Sequence, residues 1–362
     1  MQGLYIHVPF CANICGYCDF TRVGYHQRLV SLWLDEIQLE MKTRITDQCF
    51  DTIYLGGGTP TCLSEDELET LLKMIQPYTQ FIEEFSVEVN PETITLNKVI
   101  LLKKYGVNRV SIGVQSTNEK LLKLMNRKHS MKMVKEVIDL FKNAGIDNIS
   151  CDAMYSLPYQ SMEDVKDTLD FFIAENIPHI SIYSLTIEKN SAFKRQGYTS
   201  LSCDEEADMY EFIIDYLAMH HYEQYEISNF AKEKAYSKHN LHYWHYNDFV
   251  GISMGASGKE KHQRIDNTTR FDDYLKHQYV KETIELSLED EMFEYLMMGL
   301  RLKKGIDLRD FQARFKVSFD TIYIDQKNEA INKGLLIEEA NHLKCSDKGY
   351  LILNTVLQSF LN

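Results

Sequence analysis

Residues 5–20 read Tyr-Ile-His-Val-Pro-Phe-Cys-Ala-Asn-Ile-Cys-Gly-Tyr-Cys-Asp-Phe. An apolar strand pattern, Gly3–Val8, runs straight into three cysteines, Cys11, Cys15 and Cys18. Three thiolates this close together can hold three irons of a four-iron cluster, whose closed form takes four cysteines. The missing fourth ligand leaves one iron open to a second molecule. A structural zinc site usually has four protein ligands, with cysteines paired as Cys-x-x-Cys. Here the spacing is x3 then x2, and no fourth Cys or His follows closely. A disulfide framework is not expected in a long chain with so few cysteines.

Beyond this loop, short apolar segments alternate with amphipathic ones. Strands are expected at Gly3–Val8, Thr52–Leu55, Phe85–Val89, Arg109–Gly113, Asn148–Met154 and His179–Leu185. Helices are expected between them, at Leu29–Thr43, Glu65–Tyr78, Leu96–Tyr105, Met131–Ala144 and Met162–Glu175. Val134, Val137, Ile138 and Phe141 show the helical spacing. Ser64 with Glu67 is a capping-box start, and Gly106 and Gly145 read as helix stops. Six strands alternating with helices imply an α/β fold with a parallel sheet, curled by right-handed crossovers into a barrel or part of one. Chemistry in such folds sits at the C-terminal strand ends. The cysteine loop follows strand one, and Gly56-Gly-Gly-Thr-Pro60 follows strand two. Glu88-Val-Asn-Pro91 ends strand three, Gln115 follows strand four, and Asp152 lies near the end of strand five.

The 362 residues allow one large domain and a smaller one. The other cysteines (Cys49, Cys62, Cys151, Cys203, Cys345) are scattered and read as reduced thiols in a cytoplasmic protein. Tyr5–Val8 is too short for a signal-peptide core, and no run of about 18 apolar residues occurs. A net charge of −14 argues against nucleic-acid binding by bulk charge. Peripheral membrane association and a homodimer stay open.

An acidic helix, Asp204–His221, carries an apolar face of Met209, Phe212, Ile213, Tyr216 and Leu217. Tyr222–Arg270 reads as an irregular, aromatic and histidine-rich stretch. Helices are then expected at Leu288–Leu300, Asp307–Phe315 and Ile322–Lys333, strands at Leu335–Glu338 and His342–Cys345, and a last helix at Asp347–Phe360. Helices followed by a small hairpin suggest a winged-helix-like C-terminal domain. The expected division is a core of residues 1–225, a connecting segment of 226–270, and a C-terminal domain of 271–362.

The ordered motifs resemble the radical S-adenosylmethionine (SAM) superfamily, whose fold is a partial (β/α)6 barrel. Tyr5–Cys11, Ser111-Ile-Gly-Val-Gln-Ser116 and Leu124-Met-Asn-Arg-Lys-His129 narrow the resemblance to the oxygen-independent coproporphyrinogen III oxidase family and its relatives. It implies that Cys11, Cys15 and Cys18 ligate a [4Fe-4S] cluster. It further implies that Tyr5, Tyr17, Gly57, Gly58, Thr59, Glu88, Gln115, Arg127 and Asp152 bind SAM. Glycines without Cβ would let backbone approach the methionine end, and the Arg127 fork suits its carboxylate.

Two departures point from the oxidase toward its heme-chaperone paralogues. The oxidase has a further cysteine where Phe20 stands, and an N-terminal extension before its first strand. His239-Asn240-Leu241-His242-Tyr243-Trp244 is similar to the His-Asn-x-x-Tyr-Trp signature of the chaperones. The resemblance makes His239, Asn240, Tyr243 and Trp244 the heme residues, with His242 and His245 as weaker candidates. Imidazole is a common axial heme ligand, and Tyr and Trp supply flat surfaces. Residues 228–270 hold seven Lys or Arg against four acids, which reads either as a solvated loop or as a stretch in which some of these cations meet heme propionates, with Lys259, Lys261 and Arg264 the ones to test. The implied function is delivery of heme to acceptors such as respiratory cytochromes. The alternatives are radical decarboxylation of a porphyrinogen, and a cluster-sensing winged-helix regulator, for which Arg301-Leu-Lys-Lys304 is a small basic patch.

Overall fold

The computed structural model describes residues 2–46 and 48–361. Six β/α units open the chain: β1 (Gln2–Val8), α1 (Gln27–Arg44), β2 (Phe50–Gly57), α2 (Glu65–Ile75), β3 (Glu84–Val89), α3 (Leu96–Lys104), β4 (Arg109–Gln115), α4 (Met131–Asn143), β5 (Asn148–Tyr155), α5 (Met162–Ala174) and β6 (His179–Ser184). The six strands are parallel neighbours in that order. Ser64 and Glu67 form the expected capping box. Gly106 and Gly145 take φ of +89° and +71° just past α3 and α4, which suits glycine.

Strands of a parallel sheet covered on both faces usually read as continuous apolar runs. These strands alternate instead. Val87, Val110, Ile112, Ile149, Cys151 and Ile180 lie in the core. Ser86, Glu88, Arg109, Ser111, Ser150, Asp152, His179 and Ser181 turn inward onto a cavity. A period of two in a parallel strand therefore records a barrel whose lumen is polar.

Residues 222–270 are not irregular. After α6 (Cys203–Met219), β7 (Glu223–Glu226) and β8 (Asn229–Ala231) extend the sheet, β8 antiparallel to β6 and β7 antiparallel to β8 at the edge. A helix, α7 (Lys238–Trp244), precedes β9 (Phe249–Ile252), which pairs parallel with β1 at the far side of the sheet. A meander of β10 (Ser257–Glu260), β11 (Gln263–Asn267) and β12 (Val280–Glu285) continues outward, giving twelve strands. These strands are short and some carry bulges, so no periodicity marks them. The buried Glu40 of α1 fastens the meander: it accepts from the Ser253 N–H (2.9 Å) and the Tyr274 hydroxyl (2.7 Å).

The expected boundary at 225/226 falls within β7, and that at 270/271 falls within the meander. A second core begins at Met292 and runs to Phe360, joined by Tyr246. Its elements are α8 (Leu288–Gly299), α9 (Leu308–Phe315), α10 (Phe319–Asn332) and the hairpin β13 (Leu336–Glu339)–β14 (His342–Cys345), with a two-residue strand at Ile306–Asp307. The last expected helix is two, Asp347–Leu351 and Leu353–Gln358, because Ile352 leaves helical geometry at φ −118°, ψ 34°.

Candidate functional site

The barrel encloses a cavity of about 450 Å3. Its mouth is the cysteine loop between β1 and α1, and its floor reaches Ser237 and Asn240 at α7. Cys11, Cys15, Tyr17, Cys18, Gly57, Gly58, Thr59, Glu88, Gln115, Arg127 and Asp152 all line it. Strand ends and loops up to 141 residues apart in sequence thus face one space.

Each group has a physical reason for its place. A Cβ on Gly58 would stand 2.6 Å from the Phe10 carbonyl oxygen and 2.9 Å from that of Val8, so only glycine lets this turn pass under the cysteine loop. Gly57 adopts φ +108° and donates its N–H to Glu88 Oε2 (3.0 Å). The Tyr54 hydroxyl donates to Glu88 Oε1 (3.0 Å). Burial pushes the Glu88 carboxyl up to about 7. Burial also raises Asp152, against donation from the Ser111 (2.8 Å) and Ser150 (3.3 Å) hydroxyls. Gln115 is held at φ +67°, unusual for a side chain with a Cβ. Arg127 spends Nη1 on Asn90 Oδ1 (2.7 Å) and Nη2 on the Gly113 carbonyl (2.9 Å). Its Nε is buried with no partner among the described residues.

The thiols are free, with Cys11 buried and Cys15 and Cys18 partly open. Burial raises the Cys11 thiol to about 11 even though the Thr59 hydroxyl donates to its sulfur (4.0 Å). Among the described residues no three Cys, His, Asp or Glu side chains converge on a single ion. Three cysteines around an open mouth, a glycine cradle and an orphaned guanidinium N–H fit a cluster with a carboxylate-bearing cofactor bound to it.

Tyr5 stands outside the lining. Its hydroxyl lies 2.9 Å from His7 Nδ1, and His7 Nε2 lies 2.8 Å from the Thr21 carbonyl. A carbonyl can only accept, so Nε2 carries the proton and Tyr5 donates to Nδ1. Tyr5 thereby orients the imidazole that holds the exit of the cysteine loop. Phe20 is 64% exposed at the cavity mouth.

The heme-type motif needs a correction. His239 is 0% exposed, and both ring nitrogens are engaged: Nδ1 with Thr52 Oγ1 (2.8 Å) and Nε2 with the Tyr243 hydroxyl (2.7 Å). The ring stacks on Tyr54 (5.2 Å between centroids), and burial lowers its pKa to about 3. It is a neutral keystone under the barrel, not a free imidazole. His242 is buried against Asp51 (3.0 Å) and Asn247 (3.3 Å). His245 is exposed.

Helix α7 instead shares its side chains between two spaces. Asn240 faces the barrel cavity, while Tyr243 and Trp244 line a second cavity of about 340 Å3 with Tyr246, Phe249 and Met298. Lys259 and Arg264 reach this cavity but are not free for propionates: Lys259 pairs with Asp248 (2.8 Å) and Arg264 with Glu294 (2.9 Å). The Lys261 backbone N–H also binds Asp248 (3.0 Å). Sequence reasoning missed Tyr54, Arg109 and this second cavity. The inward period of β4, Arg109-x-Ser111-x-Gly113-x-Gln115, was the signal that could have marked Arg109.

Two family patterns match the chain: the Radical SAM superfamily over residues 5–172 and the HemN C-terminal domain over residues 286–352. The heme chaperone HemW of Lactococcus lactis is 38% identical over 99% of this chain and 97% of its own length. The HemW proteins of Bacillus subtilis and Escherichia coli are each 33% identical, over 100% and 99% of this chain and 99% and 98% of their own lengths. Among solved structures, the coproporphyrinogen III oxidase HemN of Escherichia coli, a radical SAM enzyme, superposes with a TM-score of 0.87. It is 20% identical and covers 99% of this chain and 89% of its own, which is a likeness of fold.

Proposed function

The chain belongs to the HemW family and carries a radical SAM domain, and from that premise we propose that it is a heme chaperone. The reading assigns Cys11, Cys15 and Cys18 to a [4Fe-4S] cluster, and the glycine cradle with Glu88, Gln115, Arg127 and Asp152 to SAM. Such a pair, when bound, supplies reductive cleavage chemistry at the open iron.

Heme is assigned to the C-terminal end of α7. The observation that carries this is the division of one motif between two cavities: Asn240 faces the polar lumen, and Tyr243 and Trp244 face the aromatic pocket. A flat apolar macrocycle suits the second surface, where Tyr243 and Phe249 already pack edge to face (4.6 Å). His239 acts through Tyr243 by fixing its ring. Acceptors such as respiratory cytochromes would take the heme from this face. We place the protein in the cytoplasm, where the exposed thiols Cys49 and Cys203 stay reduced. No helix among the described residues is long and apolar enough to cross a membrane.

Anaerobic cluster reconstitution, followed by heme titration and a coproporphyrinogen decarboxylation assay on one preparation, tests the reading. Saturable heme binding without protoporphyrinogen formation is expected. Decarboxylation at enzymatic rates would replace the chaperone role with that of an oxidase.

A further inference from the structure

A charge sits at the floor of the barrel that none of the cofactor residues uses. Arg109 begins β4, is 2% exposed and lines the lumen. Its Nη1 donates to Asn148 Oδ1 (2.7 Å) and to the Ala235 carbonyl (3.2 Å). No carboxylate among the described residues forms an ion pair with it. Its Nε and Nη2 have no protein acceptor there, yet they are not sealed off as buried orphans. Asp152 acts on Arg109 only through space, so a buried cation with unspent donors gains from an acceptor brought to them. The unused Nε–H and Nη2–H lie on one edge of the guanidinium, the fork that takes two oxygens of a carboxylate side by side.

The neighbours complete a pocket. Asn240 presents a side-chain amide to the same cavity, with no hydrogen-bond partner among the described residues. His179 is held neutral by burial, with Nδ1 on Ser150 Oγ (2.8 Å) and Nε2 on the Tyr225 hydroxyl (2.9 Å), so it adds no second charge. Higher in the lumen stand Glu88 and Asp152. One cation facing two acids above it favours a monoanionic group over a phosphate dianion. Arg109 pairs in register with Asn148, four residues before Asp152, so its backbone sits deeper in the lumen than that of Asp152, although the two charges still feel each other.

We propose that the floor of the barrel is a carboxylate-binding subsite, in which Arg109 grips both oxygens edge-on and Asn240 donates a further hydrogen bond. The ligand is either a small free carboxylate or the propionate arm of a tetrapyrrole, which present the same group. Because Asn240 belongs to the helix whose other end forms the aromatic pocket, the subsite is felt by α7. In its tetrapyrrole form the inference rests on the heme reading; in its free-carboxylate form it stands apart from heme binding.

The test uses cluster-loaded protein with SAM present. Calorimetry is run with propionate, succinate and inorganic phosphate, and heme is titrated beside its dimethyl ester. A free-carboxylate ligand predicts that propionate or succinate binds, that phosphate does not displace it, and that Arg109→Gln weakens it about tenfold or more. Arg109→Lys, which keeps charge and loses the fork, should be intermediate, and Asn240→Ala several-fold weaker. A tetrapyrrole arm predicts instead that esterification weakens heme binding in the natural protein but not in Arg109→Gln. If Arg109→Gln fails to hold its cluster, the natural protein and Asn240→Ala still decide. The proposal is overturned if no small carboxylate binds and esterification acts alike in both proteins, or if phosphate binds in preference. Loss of heme binding altogether would strike the chaperone reading and leave the propionate and succinate titrations intact.

Discussion

The two cavities on either side of α7 are built from opposite materials. The barrel lumen is walled by serine hydroxyls, by Glu88 and Asp152, and by the buried Arg109 and Arg127. The second cavity is walled by Tyr243, Trp244, Tyr246, Phe249 and Met298, and its ions are already paired with one another. A lumen with unspent donors awaits a charged, polar ligand. A pocket whose charges are internally satisfied asks only for apolar contact. One seven-residue helix serves both because Asn240, in its first turn, meets the lumen, while Tyr243 and Trp244, in its last turn, meet the second cavity.

The most severe way to break the contrast is at the mouth of the lumen. Cys15→Ala should abolish cluster retention, read as iron per chain after anaerobic reconstitution, while heme titration at the second cavity persists. Loss of both together would mean that the cavities are not separate sites.

Two changes within α7 should part company. His239→Ala strands Thr52 and Tyr243 without their partner and opens a hole beneath Tyr54. It should cost about 2–4 kcal/mol in denaturant unfolding. Trp244→Ala should leave stability nearer the natural value and weaken heme binding about tenfold, about 1.4 kcal/mol. The reverse pattern would restore His239 as a direct heme residue.

Acidity offers a finer probe of the lumen. Glu88 is pushed up from 4.5 to about 7 by burial, so the folded protein holds a proton that the unfolded chain releases. The stability it contributes is full below about 4.5 and is lost as pH rises to about 7, an effect on the order of 3 kcal/mol. Glu88→Gln should flatten that part of the stability–pH curve in SAM-free protein, measured by chemical unfolding at several pH values. The smallest effect is expected at the second cavity: Lys259→Ala should change heme affinity less than about threefold, since its charge is spent on Asp248.

Much of the lumen was legible because its residues fall where local rules speak. The cysteine spacing, the glycines after β2, and Glu88, Gln115 and Asp152 all lie at strand ends, and strand ends follow from periodicity. The second cavity was not legible. β9 finds its parallel partner β1 more than two hundred residues away, and strands of three or four residues leave no pattern. His239 read as a ligand because a motif names residue types but not where their nitrogens point. Arg109 read as the first residue of a strand, with nothing local to say that no described carboxylate would form an ion pair with it.

By itself, then, the sequence determined the six β/α units, the open three-cysteine loop and the order of polar residues along the strand ends. Those depend on spacing within one element, where side-chain direction repeats every 2 or 3.6 residues. Only the tertiary structure decided that α7 closes the floor of the barrel, that its histidine is buried with both nitrogens spent, and that Arg109 has no ion pair there among the described residues. Such properties are set by which distant groups arrive within about 3 Å of one another, and no local period encodes that.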